Sequence, residues 1–136
     1  MTGVFVDTSA FFALTDADDR NHDAAARALK RLGKARRGLV TSTYVIDEVI
    51  TLVRMRLGHR TAVELGERLE RTRWCHVVEV THETRMVAWQ IFVRYDDRSF
   101  SLTDCTSFAL MRGLGLAEAF TFDRKDFAAA GFTPIG

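Results

Sequence analysis

Val4-Phe5-Val6-Asp7-Thr8-Ser9-Ala10-Phe11-Phe12 decides how the rest of the chain is read. Two β-branched residues around an aromatic one, with no polar alternation, fit a short strand buried on both faces. Asp7 ends that run, and Thr8 to Leu14 reads as a short helix offering Phe11, Phe12 and Leu14 to a core. A fully apolar strand feeding a helix belongs to a parallel sheet covered by helices.

The same alternation continues outward. Asn21 is a good N-cap for a helix from His22 to Lys34, with Ala25, Ala28, Leu29 and Leu32 on one face. Gly33 or Gly38 breaks it, and Leu39-Val40-Thr41 is a second short strand. Thr43 to Arg56 repeats Val45, Val49, Leu52 and Val53 at helical spacing and stops at Gly58. An amphipathic helix from Arg60 to about Thr72 runs through Val63, Leu65 and Leu69, and His76 to Val80 is a third strand. Thr81 to Tyr95 is predicted helical, with Met86, Val87 and Ile91 among its apolar residues. The polar loop Asp96 to Ser99 leads to a helix from Leu102 to Arg112, closed by Gly113 and Gly115. Ala119 to Phe122 is a fourth strand ending at Asp123, and a short helix and an extended piece, Phe132 to Ile135, finish the chain. The expectation is one α/β domain over residues 1–136.

Bulk properties narrow the function classes. A hydrophobic share of 47% and a charged share of 27% are ordinary for a soluble globular protein. The two cysteines, Cys75 and Cys105, form no CxxC pair, which argues for a reducing compartment and against a thiolate zinc site. The N-terminus has no basic leader region and no apolar stretch spans a membrane, so the cytoplasm is the expected location. Net charge is only +1, although five of the 19 basic residues crowd into Lys30 to Arg37. That stretch reads as a solvated helix end, where cations suit the helix dipole.

Four acids stand out. Asp7 and Asp123 each follow an apolar strand run, so both reach the carboxyl edge of the sheet, where open α/β sheets bind ligands. Glu48 has Tyr44, Val45, Thr51 and Leu52 as helical neighbours and so lies beside the apolar stripe, whereas Asp47 turns towards solvent. Asp104 opens its helix yet shares a face with Phe108 and Met111. Taken singly, Asp7, Asp104 and Asp123 also suit helix N-caps. Gathered in one crevice, four carboxylates repel one another and call for a cation. Hard oxygen ligands select Mg²⁺ or Mn²⁺, and His22, His59, His76 and His82 show no ligand spacing. Such a site suits phosphodiester hydrolysis. Thr8, Ser9, Thr103 and Thr121 flank the acids with hydroxyls able to orient ligands or water.

With these residues placed, the chain resembles PIN-domain ribonucleases, and more closely the VapC-type toxins of type II toxin–antitoxin pairs. The matching segments are Val6-Asp7-Thr8-Ser9-Ala10, Thr41-Ser42 running to Asp47-Glu48-Val49, Ser101 to Cys105, and Thr121 to Phe127. The resemblance implies a three-layer α/β/α sandwich around a short parallel sheet, with Asp7, Glu48, Asp104 and Asp123 as catalytic, metal-binding acids. It further implies endonucleolytic cleavage of RNA with Mg²⁺ or Mn²⁺, a homodimer and a cognate antitoxin. Asp126 departs from the usual pattern and is read as a surface turn residue. A housekeeping PIN nuclease, or a non-catalytic RNA-binding module, would share the fold. A receiver domain would want an acidic pair at the first strand, and a dehalogenase-type phosphatase Asp-x-Asp, where this chain has Asp7-Thr8-Ser9.

Overall fold

The structure is a computed structural model describing residues 3–136; Met1 and Thr2, on which the reading of the N-terminus partly rests, lie outside that range. Its elements run β1 (Val4–Val6), α1 (Thr8–Thr15), α2 (His22–Lys34), β2 (Leu39–Ser42), α3 (Thr43–Leu57), α4 (His59–Arg71), β3 (Cys75–Val78), α5 (His82–Arg94), α6 (Leu102–Leu114), β4 (Glu118–Phe120), α7 (Arg124–Ala129) and β5 (Thr133–Ile135). The five strands form one parallel sheet in the order β3-β2-β1-β4-β5. Helices on either side complete the expected α/β/α sandwich.

The strand order places a topological switch point at β1. The chain leaves β1 towards β2 and β3 on one side and later returns to β4 on the other. Val4, Phe5 and Val6 are fully buried, as a central parallel strand requires. Phe108 anchors the core beneath β4 and β5, with Phe100 and Phe127 edge-on at 5.0 Å and Phe132 stacked at 5.7 Å. Gly115 closes α6 in the left-handed conformation, φ 68°, so the turn into Leu116 suits a residue without Cβ.

Several expectations are corrected at strand ends. β4 stops at Phe120 rather than Phe122: Thr121 N still donates to the Ile135 carbonyl at 2.9 Å, but the N–H groups after it turn to side chains. Phe122 N donates to Ser9 Oγ at 2.9 Å and Asp123 N to Thr121 Oγ1 at 3.0 Å. β3 ends at Val78, before Val80, whose N–H donates to Thr43 Oγ1 at 3.3 Å. The extended C-terminal piece is a fifth strand, paired with β4 from Thr133 to Ile135. Val63 was expected on the apolar face of its helix, but α4 buries Ala62 and Leu65 and exposes Val63.

The basic stretch Lys30 to Arg37 precedes β2 and therefore lies at the amino edge of the sheet, opposite the end of β1 that carries Asp7. Lys30, Arg31, Lys34 and Arg36 are exposed, and Arg37 pairs with Glu118 at the start of β4. The solvated-helix-end reading therefore fits this segment.

Candidate active site

Asp7 is delivered by β1 to the carboxyl edge of the sheet and is only 3% exposed. Its Oδ2 accepts hydrogen bonds from Ser9 Oγ at 3.0 Å and Thr121 Oγ1 at 2.9 Å. Each hydroxyl spends its one proton on Asp7 and in turn accepts a backbone N–H, from Phe122 and Asp123 respectively. The Asp7 carboxylate is thereby held between the ends of β1 and β4, across the switch point. Of the four hydroxyls flanking the acids, Ser9 and Thr121 carry this positioning. Thr8 is the residue next to Asp7, and its Oγ1 is buried without a hydrogen-bond partner, an orphan that a bound water or ion would satisfy.

Asp104, a candidate site residue, is also part of a helix cap. Ser101 is the N-cap of α6: its Oγ accepts from Asp104 N at 3.0 Å, and Ser101 N donates to Asp104 Oδ2 at 2.9 Å. This reciprocal capping box fixes the carboxylate while Phe108 and Met111 below it are fully buried. The Ser-x-x-Asp spacing that announces it is visible in the sequence, but Ser101 was not singled out as the partner of Asp104.

Glu48 is half-buried on α3 and Asp47 exposed, as the helical phase predicted. Asp123 precedes α7 without capping it through its side chain, and it is exposed. Asp126, in the first turn of α7, is half-buried.

Electrostatics tie these acids together. Burial pushes Asp7 up from 3.8 to about 6; the hydrogen bonds from Thr121 and Ser9 and from the Thr8 backbone oppose the rise, and Asp123 adds to it. Burial also raises Asp104 to about 7, against the backbone hydrogen bond at Ser101, with Asp7 and Asp123 contributing repulsion. Asp123 is raised by partial desolvation, then by Asp126 and Glu48. Asp123 thus links Glu48 to the Asp7–Asp104 pair. Among the described residues, no three of these side chains are gathered tightly enough to grip a single ion as they stand. The donor chemistry nonetheless fits a hard divalent cation: carboxylate oxygens only, raised in proton affinity by burial and mutual repulsion, beside an unsatisfied hydroxyl.

The histidines stand apart from this cluster. His59, His76 and His82 are exposed, and His22 Nδ1 lies 2.7 Å from the Ala13 carbonyl oxygen. No helix is long and apolar enough to cross a membrane among the described residues.

A model of the PIN domain matches residues 4–133, and the chain belongs to the PIN-domain family. It is 42% identical over 136 residues to the 23S rRNA-specific endonuclease VapC20 of Mycobacterium tuberculosis, covering 97% of each chain. It is 28% identical over 137 residues to Ribonuclease VapC26 of the same species, covering 98% of this chain and 94% of the relative. The crystal structure of M. tuberculosis VapC20, described as a Sarcin-Ricin loop cleaving toxin, matches with a TM-score of 0.85 and 39% identity, over 96% of this chain and 97% of that one. FitAcB from Neisseria gonorrhoeae, at 16% identity and a TM-score of 0.73, shares the fold, with 98% and 96% of the two chains covered.

Proposed function

We propose that this chain is a metal-dependent endoribonuclease, the toxin of a toxin–antitoxin pair, with Asp7, Glu48, Asp104 and Asp123 as its catalytic acids and Mg²⁺ or Mn²⁺ as its cofactor. The observation that carries the reading is the anchored Asp7. A carboxylate 3% exposed, gripped by two hydroxyls and pressed by Asp104 and Asp123, is a costly arrangement for a merely structural residue. The full-length likeness to a 23S rRNA-specific endonuclease supports RNA as the substrate and makes 23S ribosomal RNA the first one to test.

Asp7, Glu48, Asp104 and Asp123 would hold the divalent cation, which would supply charge stabilisation and a more acidic water for phosphodiester hydrolysis. The protein's part is positioning. Ser9 and Thr121 fix the Asp7 carboxylate, and the Ser101 backbone fixes that of Asp104. Asp123, the exposed member of the four, would accept the proton released by the attacking water.

Partners follow the same reading: a cytoplasmic toxin restrained by an antitoxin and working as a homodimer. The outward face of α5 supports self-association. Met86, Trp89 and Val93 recur at helical spacing and are 52%, 53% and 60% exposed, while Ala88 and Ile91 are buried on the other side. A helix apolar on both faces is one whose outer face is normally covered. Antiparallel pairing about a two-fold axis near Trp89 would bury this stripe against its own copy, with acidic and basic helix ends, Glu83 and Arg94, brought to the same side.

The deciding experiment is to incubate purified protein with total RNA, with and without Mg²⁺ or Mn²⁺, and to map the cuts. Discrete metal-dependent cuts that vanish in Asp7→Asn are expected; cleavage undiminished in that variant would overturn the site assignment. Induction alone is expected to arrest growth, with relief by the cognate antitoxin; harmless induction of an active nuclease would remove the toxin role.

A further inference from the structure

Beside Glu48 the surface opens into a groove of about 490 Å³ that the four acids do not explain. One wall is a single stripe of α3, formed by Tyr44, Asp47, Glu48, Leu52 and Met55, and Thr103 of α6 closes the other side. The groove is continuous with the active site at two points, since Glu48 lines both and Thr103 precedes Asp104. A strand whose phosphate reaches the acids on the Glu48 side would carry a neighbouring nucleotide over this groove.

Its chemistry suits a base. Tyr44 is half-buried, and its hydroxyl accepts a hydrogen bond from Arg85 Nη1 of α5 at 3.0 Å, which fixes the ring across the interval between α3 and α5. An aromatic face with a guanidinium at its edge is the usual platform for an unstacked base in single-stranded RNA. Met55 is 77% exposed at the far end of the stripe, a flexible apolar side chain able to close over a flat ligand. Asp47, exposed one helical turn from Tyr44, contributes only hydrogen-bond acceptors. It complements the exocyclic amino groups of adenine, cytosine or guanine, and opposes the carbonyl-rich edge of uracil.

We propose that this groove binds one unstacked nucleobase flanking the scissile phosphate, stacked on Tyr44 and read through its amino group by Asp47. The inference rests on the ribonuclease reading and deepens it by assigning a specificity site.

The test uses short single-stranded RNA oligomers of adenine, cytosine or uracil, with binding followed by fluorescence anisotropy in an Asp7→Asn background that prevents cleavage. Cleavage kinetics are measured separately with the native acids. Tyr44→Leu is expected to weaken binding roughly tenfold, as loss of one base–aromatic stack does, and to raise KM with little change in kcat. Tyr44→Phe keeps the ring and is expected to retain binding. Asp47→Asn is expected to erase a native preference for adenine and cytosine over uracil. Unchanged affinity in Tyr44→Leu would overturn the proposal, as would equal losses in Leu and Phe or native binding indifferent to base. Unchanged RNA affinity with weakened antitoxin binding in Tyr44→Leu would assign the groove to the protein partner instead. The parent reading fails differently, by the native chain cutting no RNA with either metal.

Discussion

Thr121 Oγ1 lies 2.9 Å from Asp7 Oδ2, joining residues 114 positions apart at the ends of two neighbouring parallel strands. The contact determines where the Asp7 carboxylate points, since Ser9 alone is a local partner two residues away. Thr121→Val preserves shape and removes the donor. Activity is expected to fall 10- to 100-fold, roughly the usual cost of losing a group that orients a metal ligand. Titrating Mn²⁺ in a cleavage assay checks this: the metal requirement should rise, and an unchanged requirement would deny Thr121 its positioning role.

The raised carboxyls give a pH signature. Asp7 at about 6 and Asp104 at about 7, against 3.8 when unfolded, mean that the native state holds the extra protons between these limits. Stability without divalent cations is therefore expected to fall as pH rises from about 4 to about 7, by roughly 3 kcal/mol for Asp7 alone. Thermal melts across that range test it. Asp7→Asn is expected to flatten the dependence and raise Tm at pH 8 while abolishing cleavage. A native Tm that climbs with pH over this window would contradict the burial argument.

Asp104 and Ser101 share a capping box, so their roles separate by mutation. Ser101→Ala is expected to cost about 1 kcal/mol of stability and to leave most activity, because Asp104 still accepts from the Ser101 backbone N–H. Asp104→Asn is expected to lose activity by orders of magnitude with a modest change in Tm. Urea unfolding alongside RNA cleavage distinguishes the two; equal loss of activity in both would make the cap, not the charge, the important feature.

The outer face of α5 predicts self-association. Trp89 and Phe92 stack at 5.5 Å, with Met86 and Val93 exposed along the same helix. Trp89→Glu is expected to convert a dimer to a monomer in sedimentation equilibrium without lowering Tm at low protein concentration. A chain that is monomeric at tens of micromolar before mutation would dismiss this face as the dimer contact.

Much of this was legible in the sequence. The apolar runs at Val4 and Ala119 announced parallel strands, and the helical phase of α3 correctly set Glu48 inward of Asp47. What escaped was tertiary. Nothing local says that Thr121 reaches Asp7, because the contact depends on β4 returning beside β1. Strand ends were misplaced at Phe122 and Val80, where backbone donors choose hydroxyls over a neighbouring strand. Met86 and Val87 were read simply as apolar helix residues, yet both are exposed, since α5 is apolar on both sides and its phase alone does not choose. Tyr44 was visible only as a neighbour of Glu48; its pairing with Arg85 spans 41 residues.

The strand order also sets a schedule. Three of the four acids precede residue 105, but Asp7 gains its distant partner only when Thr121 has been made, and Thr121 N–H donates to the Ile135 carbonyl at 2.9 Å. The cluster is thus completed only once the segment from β4 to β5 has been made. A nascent chain that has not yet reached Glu118 carries Asp7, Glu48 and Asp104 without the β4 edge that organises them. An enzyme whose proposed target is RNA would therefore be inert until that segment has been made and has folded beside β1. Stalled nascent chains ending before residue 118 are expected to leave RNA uncut, and cutting by such chains would refute the schedule.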